Sequence, residues 1–189
     1  MASLREKMFA RGMWGAWGGI TCCGLLMLAA LAGCGDDGAD APELKIDATP
    51  YLLTEAPEAA LEVREIHEGA KERGAEGGEV VLVGKIGGSL NPWIEGRAAF
   101  NIVDRSVKSC SDIPGDKCPT PWDYCCTRDD LPGATALVKV VGEDGRLLAA
   151  DARRLFGVKE LQTVFVRGTA SKDEKGNLVV LASRLYVKK

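Results

Sequence analysis

Five short runs of apolar and β-branched residues govern what most of this chain can fold into. They are VVLVGKI (Val80 to Ile86), AAFNIV (Ala98 to Val103), TALVKVV (Thr135 to Val141), TVFVRGT (Thr163 to Thr169) and LVVLASRLYV (Leu178 to Val187). Each is short and rich in residues that suit a pleated, half-buried surface, so each predicts a strand. Asp144-Gly145 is a tight-turn signal after the third run, and Lys175-Gly176-Asn177 predicts a hairpin between the fourth and fifth. Between the third and fourth, Ala150 to Leu161 is suited to a short helix or turn that caps a core with Leu155, Phe156, Val158 and Leu161. Gly84, inside the first run, marks a bend or a close backbone approach. Ahead of the strands, between Thr54 and Arg73, the spacing of Ala59, Val63, Ile66 and Ala70 puts an apolar stripe on one face and predicts an amphipathic helix. Pro57 falls in its first turn and Gly74 is placed to end it.

Five strands with a helical piece between the third and fourth resemble the OB-fold, a five-stranded, partly open Greek-key barrel. The helix followed by VVLVGKI also resembles small exported bacterial OB-fold proteins, in which an amphipathic helix precedes a first strand reading apolar-apolar-x-apolar-Gly-x-apolar. The likeness spans residues 56 to 187 and implies a mostly β domain. A six-stranded barrel of another topology and a small sandwich remain alternatives. One relative of this kind, the periplasmic haem chaperone of cytochrome c maturation, binds haem through a histidine near its C-terminus. The tail here, ASRLYVKK, offers Tyr186 and no histidine, so haem binding does not carry over.

The N-terminus carries an address. Arg5, Lys7 and Arg11 precede an apolar stretch from Met13 through Leu31, the layout of a secretory signal. It closes on Leu31-Ala32-Gly33-Cys34, which resembles the lipobox of bacterial lipoproteins, where the cysteine is lipidated and becomes the new N-terminus. The resemblance implies cleavage after residue 33, acylation of Cys34, and a domain held outside the cytoplasm at the inner or outer membrane. More than one acyl chain makes such an anchor stable, at about 0.8 kcal/mol per buried CH₂. A plain signal anchor and a signal cut by the ordinary peptidase are the alternatives, but the glycines thin the segment below what a spanning helix wants. Cys22 and Cys23 would leave with the signal. The run GDDGADAPELKIDATP then suits a flexible tether, giving a signal over 1–33, a tether over 34–53 and a domain over 54–189.

Between the second and third strands lies an insertion, residues 105–133, with Cys110, Cys118, Cys125 and Cys126. So long a loop is uncommon unless functional or fixed in place. In an oxidising envelope an even cysteine count favours disulfides, Cys110 and Cys118 each pairing with one of the adjacent Cys125 and Cys126. Four thiolates can instead hold zinc or an iron-sulfur cluster, although intervals of seven, six and zero residues are unlike the paired spacing of structural zinc sites. Free or redox-active thiols are the third alternative. Trp122 and Tyr124 stand among these cysteines with Asp112, Asp116 and Asp123 close in sequence. They read either as rings packed over the cross-links or, with Trp93 in the Asn91-Pro92-Trp93 turn, as candidate binding residues on rigid loops. An acidic calcium site lacks EF-hand spacing.

Composition excludes much else. The formal net charge is -3, and loss of residues 1–33 leaves 21 basic against 26 acidic residues, so no broad basic surface exists for nucleic acid. His67 is the sole histidine, on a Glu-rich segment that reads as a solvated face. Gly-x-Ser-x-Gly, His-Glu-x-x-His and a Walker phosphate loop are missing, so no catalytic motif is legible and no cofactor is implied. The sequence therefore predicts a lipid-anchored, non-enzymatic envelope module that binds another envelope protein or a small ligand. A metal-binding or redox role for the four cysteines is one alternative, and a purely structural lipoprotein is the other.

Overall fold

The computed structural model describes residues 46–73 and 78–189. The signal segment, Cys34, most of the tether and Gly74 lie outside the described residues. The elements run β1 (Leu61–Glu62), α1 (Val63–Arg73), β2 (Gly78–Ile86), β3 (Ala99–Val103), β4 (Thr135–Val140), α2 (Ala152–Phe156), β5 (Thr163–Lys172) and β6 (Leu178–Val187). All five sequence-predicted strands are present, and α2 lies in the segment expected to hold a short helix.

The strands close on themselves. Neighbours in the sheet follow β1-β2-β3-β4-β6-β5, and β5 pairs back with β2 from Gly78↔Ala170 to Lys85↔Thr163, so β2 through β6 form a closed barrel of mixed direction. β4 and β6 run parallel and the other barrel pairs are antiparallel. That one parallel join follows from the chain's route. β4 turns at Asp144-Gly145, passes through α2 and enters β5, which hairpins at Asp173–Asn177 into β6. Asp173 organises this hairpin by accepting the N–H groups of Lys175 at 2.9 Å and Asn177 at 2.8 Å.

Side chains alternate as a barrel requires. Along β4, Ala136, Val138 and Val140 are buried while Thr135, Leu137 and Lys139 are not. The barrel core adds Leu82, Ile86, Phe100, Ile102, Val164, Val166, Val180 and Leu185, with Val63 and Ile66 of α1 and Phe156 of α2 in the same cluster. β3 is buried on both faces: Phe100 and Ile102 face this core, whereas Val103 joins Val107, Tyr124 and Ala134 in a second, smaller one. At its Val103 end the cysteine loop covers the outer face of β3, which is why an apolar residue stands there. Gly84 is the close approach anticipated from sequence, for a Cβ there would stand 2.9 Å from the Val103 carbonyl oxygen.

The helix differs from expectation. It begins at Val63, because Ala59 takes a left-handed conformation (φ 53°) and Leu61–Glu62 pair in parallel with Leu82 and Val83 of β2. Ala59 and Pro57 belong to the approach rather than to the helix, and the residues between Thr54 and Glu62 are extended or turning. Entry into α1 is fixed by side chains instead: Glu65 accepts the Glu62 N–H at 2.7 Å, and Asp104 at the end of β3 accepts the Arg64 N–H at 2.8 Å.

Candidate functional site: a four-cysteine loop

The chain between β3 and β4 folds as a series of tight turns. Cys110–Asp112 form one 3₁₀ turn, Pro121–Asp123 a second, and Cys125–Asp130 a third that kinks at Thr127. Asp112 accepts both the Ser109 N–H at 3.0 Å and its hydroxyl at 2.8 Å, and Lys85 of β2 holds the same carboxylate at 3.2 Å. Gly88 donates its N–H to the Trp122 carbonyl at 2.8 Å, and Trp122 donates its indole N–H to the Leu90 carbonyl at 3.1 Å. Gly87 has no room for a side chain, since a Cβ there would stand 2.6 Å from the Trp122 carbonyl oxygen and 2.9 Å from the Tyr124 ring. The loop is thus bonded to the segment leaving β2.

Tyr124 sets the direction of the cysteines that follow it. Its backbone is left-handed (φ 55°, ψ 32°), which drops the ring into the second core and turns Cys125 and Cys126 back toward Cys110 and Cys118. The ring is fully buried, and its hydroxyl has no hydrogen-bond partner among the described residues. Burial above all, with Asp112 and Cys110 nearby, pushes its ionisation well up.

The four sulfurs meet without bonding. Cys125 Sγ lies 3.5 Å from Cys110, 3.6 Å from Cys118 and 3.9 Å from Cys126. A disulfide requires about 2.05 Å, and all four are free thiols in the structure. No disulfide of the kind expected from sequence is formed in the structure. Cys125 is shared between two neighbours rather than paired with one, and Cys126 donates instead to Asp116 at 2.9 Å. Separations of this size are what a tetrahedral ion demands, because sulfurs about 2.3 Å from a common centre stand about 3.8 Å apart.

Carboxylates complete the set. The sulfurs of Cys110, Cys118 and Cys125 and an oxygen of Asp123 all lie within 4.8 Å of one another, and Cys110, Asp116 and Cys126 form a second such group. Both aspartates are oriented by the backbone. Asp123 accepts the Cys125 N–H at 2.9 Å, and Asp116 accepts the Cys118 N–H at 2.7 Å. Cys110 is buried, Cys118 half-buried, and Cys125 and Cys126 exposed.

The thiols differ in acidity. Burial pushes Cys110 up, but hydrogen bonds from the Cys126 backbone and from the Cys125, Cys126 and Cys118 thiols outweigh it and hold Cys110 below the ordinary thiol range. Cys125 is raised by its hydrogen-bonding contacts with Cys110, Cys118 and Asp123, which favour its protonated form. Cys126 is pushed up to about 11, chiefly by the Asp116 carboxylate that holds its proton. Cys110 is thus the thiol whose neighbours favour its ionised form, and binding of a cation to thiols releases their protons.

Two candidate contact residues are not on the surface. Trp93 is buried, packs against Phe100 with ring centroids 5.9 Å apart, donates its indole N–H to Glu160 at 2.7 Å, and has the Arg153 guanidinium 5.5 Å from its ring centroid. Tyr124 is buried in the second core, so neither forms an exposed aromatic surface. Trp122 is half-buried over the cysteine loop. Sequence reasoning did not anticipate a cleft of about 230 Å³ on the barrel wall, lined by Asn101, Thr135, Leu137, Asp173 and Asn177. Its one sequence signal was Asn101, a polar residue in the middle of an otherwise apolar strand. Among the described residues no helix is long and apolar enough to cross a membrane. In comparison with known proteins, no family model matches the chain and no curated protein matches it.

Proposed function

We propose that this is a lipid-anchored, non-enzymatic envelope protein that holds a thiophilic divalent cation, of the Zn²⁺ class, on its cysteine loop. One observation carries the reading: Cys110, Asp123 and Cys125 come from three separate turns and Cys118 from the chain between the first two, and their donor atoms all lie within 4.8 Å of one another. Three thiolates favour a soft or borderline ion over Ca²⁺ or Mg²⁺, and the carboxylate favours Zn²⁺ over Cu(I), which prefers sulfur alone. The anchor rests on the Leu31-Ala32-Gly33-Cys34 motif. Assignment to the OB-fold is supported by the closed order β2-β3-β4-β6-β5-β2 with α2 between β4 and β5.

The full chain, purified under a thiol reductant, is expected to bind Zn²⁺ and, with Co²⁺ in its place, to show the intense absorption of a tetrahedral thiolate complex. Cys110→Ser and Cys118→Ser should each abolish that spectrum. Protein that stays metal-free under Zn²⁺, or that isolates with two disulfides and no thiol, overturns the reading. Labelling with a radioactive fatty acid tests the anchor, since incorporation should vanish in Cys34→Ser.

The barrel-wall cleft supports a second reading, the binding of a small polar ligand. OB barrels use this face and its bordering loops for oligosaccharides and oligonucleotides, and Asn101, Thr135, Asp173 and Asn177 offer amide, hydroxyl and carboxylate groups there. A neutral glycan suits the acidic chain better than a polyanion. Retention on an oligosaccharide array, lost in Asn177→Ala, is the test.

A further inference from the structure

The donors form two groups rather than one. Cys110, Cys118, Cys125 and Asp123 supply four ligands and fill a tetrahedron; Cys110, Asp116 and Cys126 supply three. Cys110 is the shared member, and it is the buried one. Cys126 is excluded from the first group although it neighbours Cys125 in sequence, because its thiol turns 2.9 Å toward Asp116. Asp116 in turn is aimed by the Cys118 N–H on its other oxygen at 2.7 Å.

Resting on the metal-holding reading above, we infer that the loop takes two thiophilic divalent cations, with the Cys110 thiolate bridging a closed site and an open one. The closed site uses Cys118, Cys125 and Asp123. The open site uses Asp116 and Cys126, and its fourth position is left to water or to an incoming ligand. A thiolate has lone pairs enough for two ions, and Cys110 is the sulfur placed to serve both sets. Electrostatics point the same way. One divalent ion among three thiolates and two carboxylates, with Cys126 still protonated, leaves a strongly negative centre, whereas a second ion replaces the Cys126 proton and offsets that charge. With three protein ligands rather than four, the open site is the one able to exchange its ion with a partner or with solution, and the closed site is the retentive one.

Native mass spectrometry of the reduced full chain during titration with Zn²⁺ tests this directly. Two bound ions are expected, the second lost first on mild chelation. Cys126→Ser should bind one ion only, and with Co²⁺ at that site its thiolate charge-transfer intensity should match that of the wild type loaded with one Co²⁺. Asp116→Asn, which leaves every thiol in place, should likewise reduce two ions to one. A single ion in the wild type overturns the inference while leaving the metal-holding reading intact. So does a fall in one-ion charge-transfer intensity in Cys126→Ser, which would make Cys126 the fourth thiolate of a mononuclear centre. No bound zinc at all overturns both.

Discussion

Asp104 joins the cysteine loop to α1 through three hydrogen bonds. One oxygen accepts the Arg64 N–H at 2.8 Å, and the other accepts the Ser106 N–H at 2.9 Å and its hydroxyl at 2.6 Å. Burial pushes the carboxyl up, but the Ser106 and Arg64 bonds outweigh it and hold its ionisation below the ordinary carboxylate range. A group depressed in this way stabilises the fold fully at neutral pH and loses that contribution as the pH falls through its folded value. Asp104→Ala should therefore cost about 1–3 kcal/mol at pH 7, the range for stranding buried donors. Urea melts at falling pH should show that deficit narrowing below the usual carboxylate range; a deficit that holds or grows in acid would refute the assignment. Tyr124 predicts the opposite sign. Its buried hydroxyl has no partner, so in the metal-free protein Tyr124→Phe should be neutral or stabilising by about 1 kcal/mol. A loss of stability on the same scale would mean that the hydroxyl is satisfied in solution.

At the scale of elements, the long β5–β6 hairpin depends on one glycine. A Cβ at Gly168 would stand 2.1 Å from the Leu181 carbonyl oxygen and 2.8 Å from Ala182 Cα, at the register shift between Arg167 and Gly168. Both obstacles are backbone and cannot swing aside. Gly168→Ala should cost about 3 kcal/mol or more, at the upper end for overpacking, whereas Ala at the exposed Gly176 turn should cost only its left-handed strain (φ 82°). Thermal melts of the two variants would separate packing from conformation. The strands were legible because each is a run of apolar residues set off by turn signals. The start of α1 was not, because Ala59, Val63 and Ile66 keep helical spacing while Ala59 sits in a left-handed turn and Leu61 in a strand. No local propensity encodes that, since the pairing of Leu61 with Leu82 is a tertiary contact. The cysteines were legible as a group but not as a cluster. Their intervals are unlike the paired spacing of structural zinc sites, and it is the left-handed Tyr124, an uncommon conformation for a tyrosine, that folds Cys125 back between Cys110 and Cys118. Trp93 misled for the same reason: Pro92 suggested an exposed turn, and only the closed barrel supplies Phe100, Glu160 and Arg153 around the ring.

For the molecule as a whole, the question is whether the cysteine loop hangs from the barrel or belongs to its folding unit. Tyr124 buries its ring against Val103 of β3, Lys85 of β2 holds Asp112, Gly88 bonds Trp122, and Arg64 of α1 donates to the Asp130 carbonyl at 2.8 Å. Those contacts tie the loop to β2, β3 and α1, and β2 is the strand whose pairing with β5 closes the barrel. Disordering the loop would uncover the outer face of β3, so the loop and the barrel should unfold together. An ion that binds only the ordered loop then stabilises the entire domain, by about 2.7 kcal/mol at a free concentration one hundred times its Kd. That corresponds to a rise of roughly 5–10 °C in Tm for a domain of this size. Calorimetry of the reduced full chain with and without Zn²⁺ should show one transition that moves upward with metal and returns with chelator. A transition unmoved by an ion that mass spectrometry shows to be bound would mean that the loop orders independently, and that its contacts with β2, β3 and α1 contribute little.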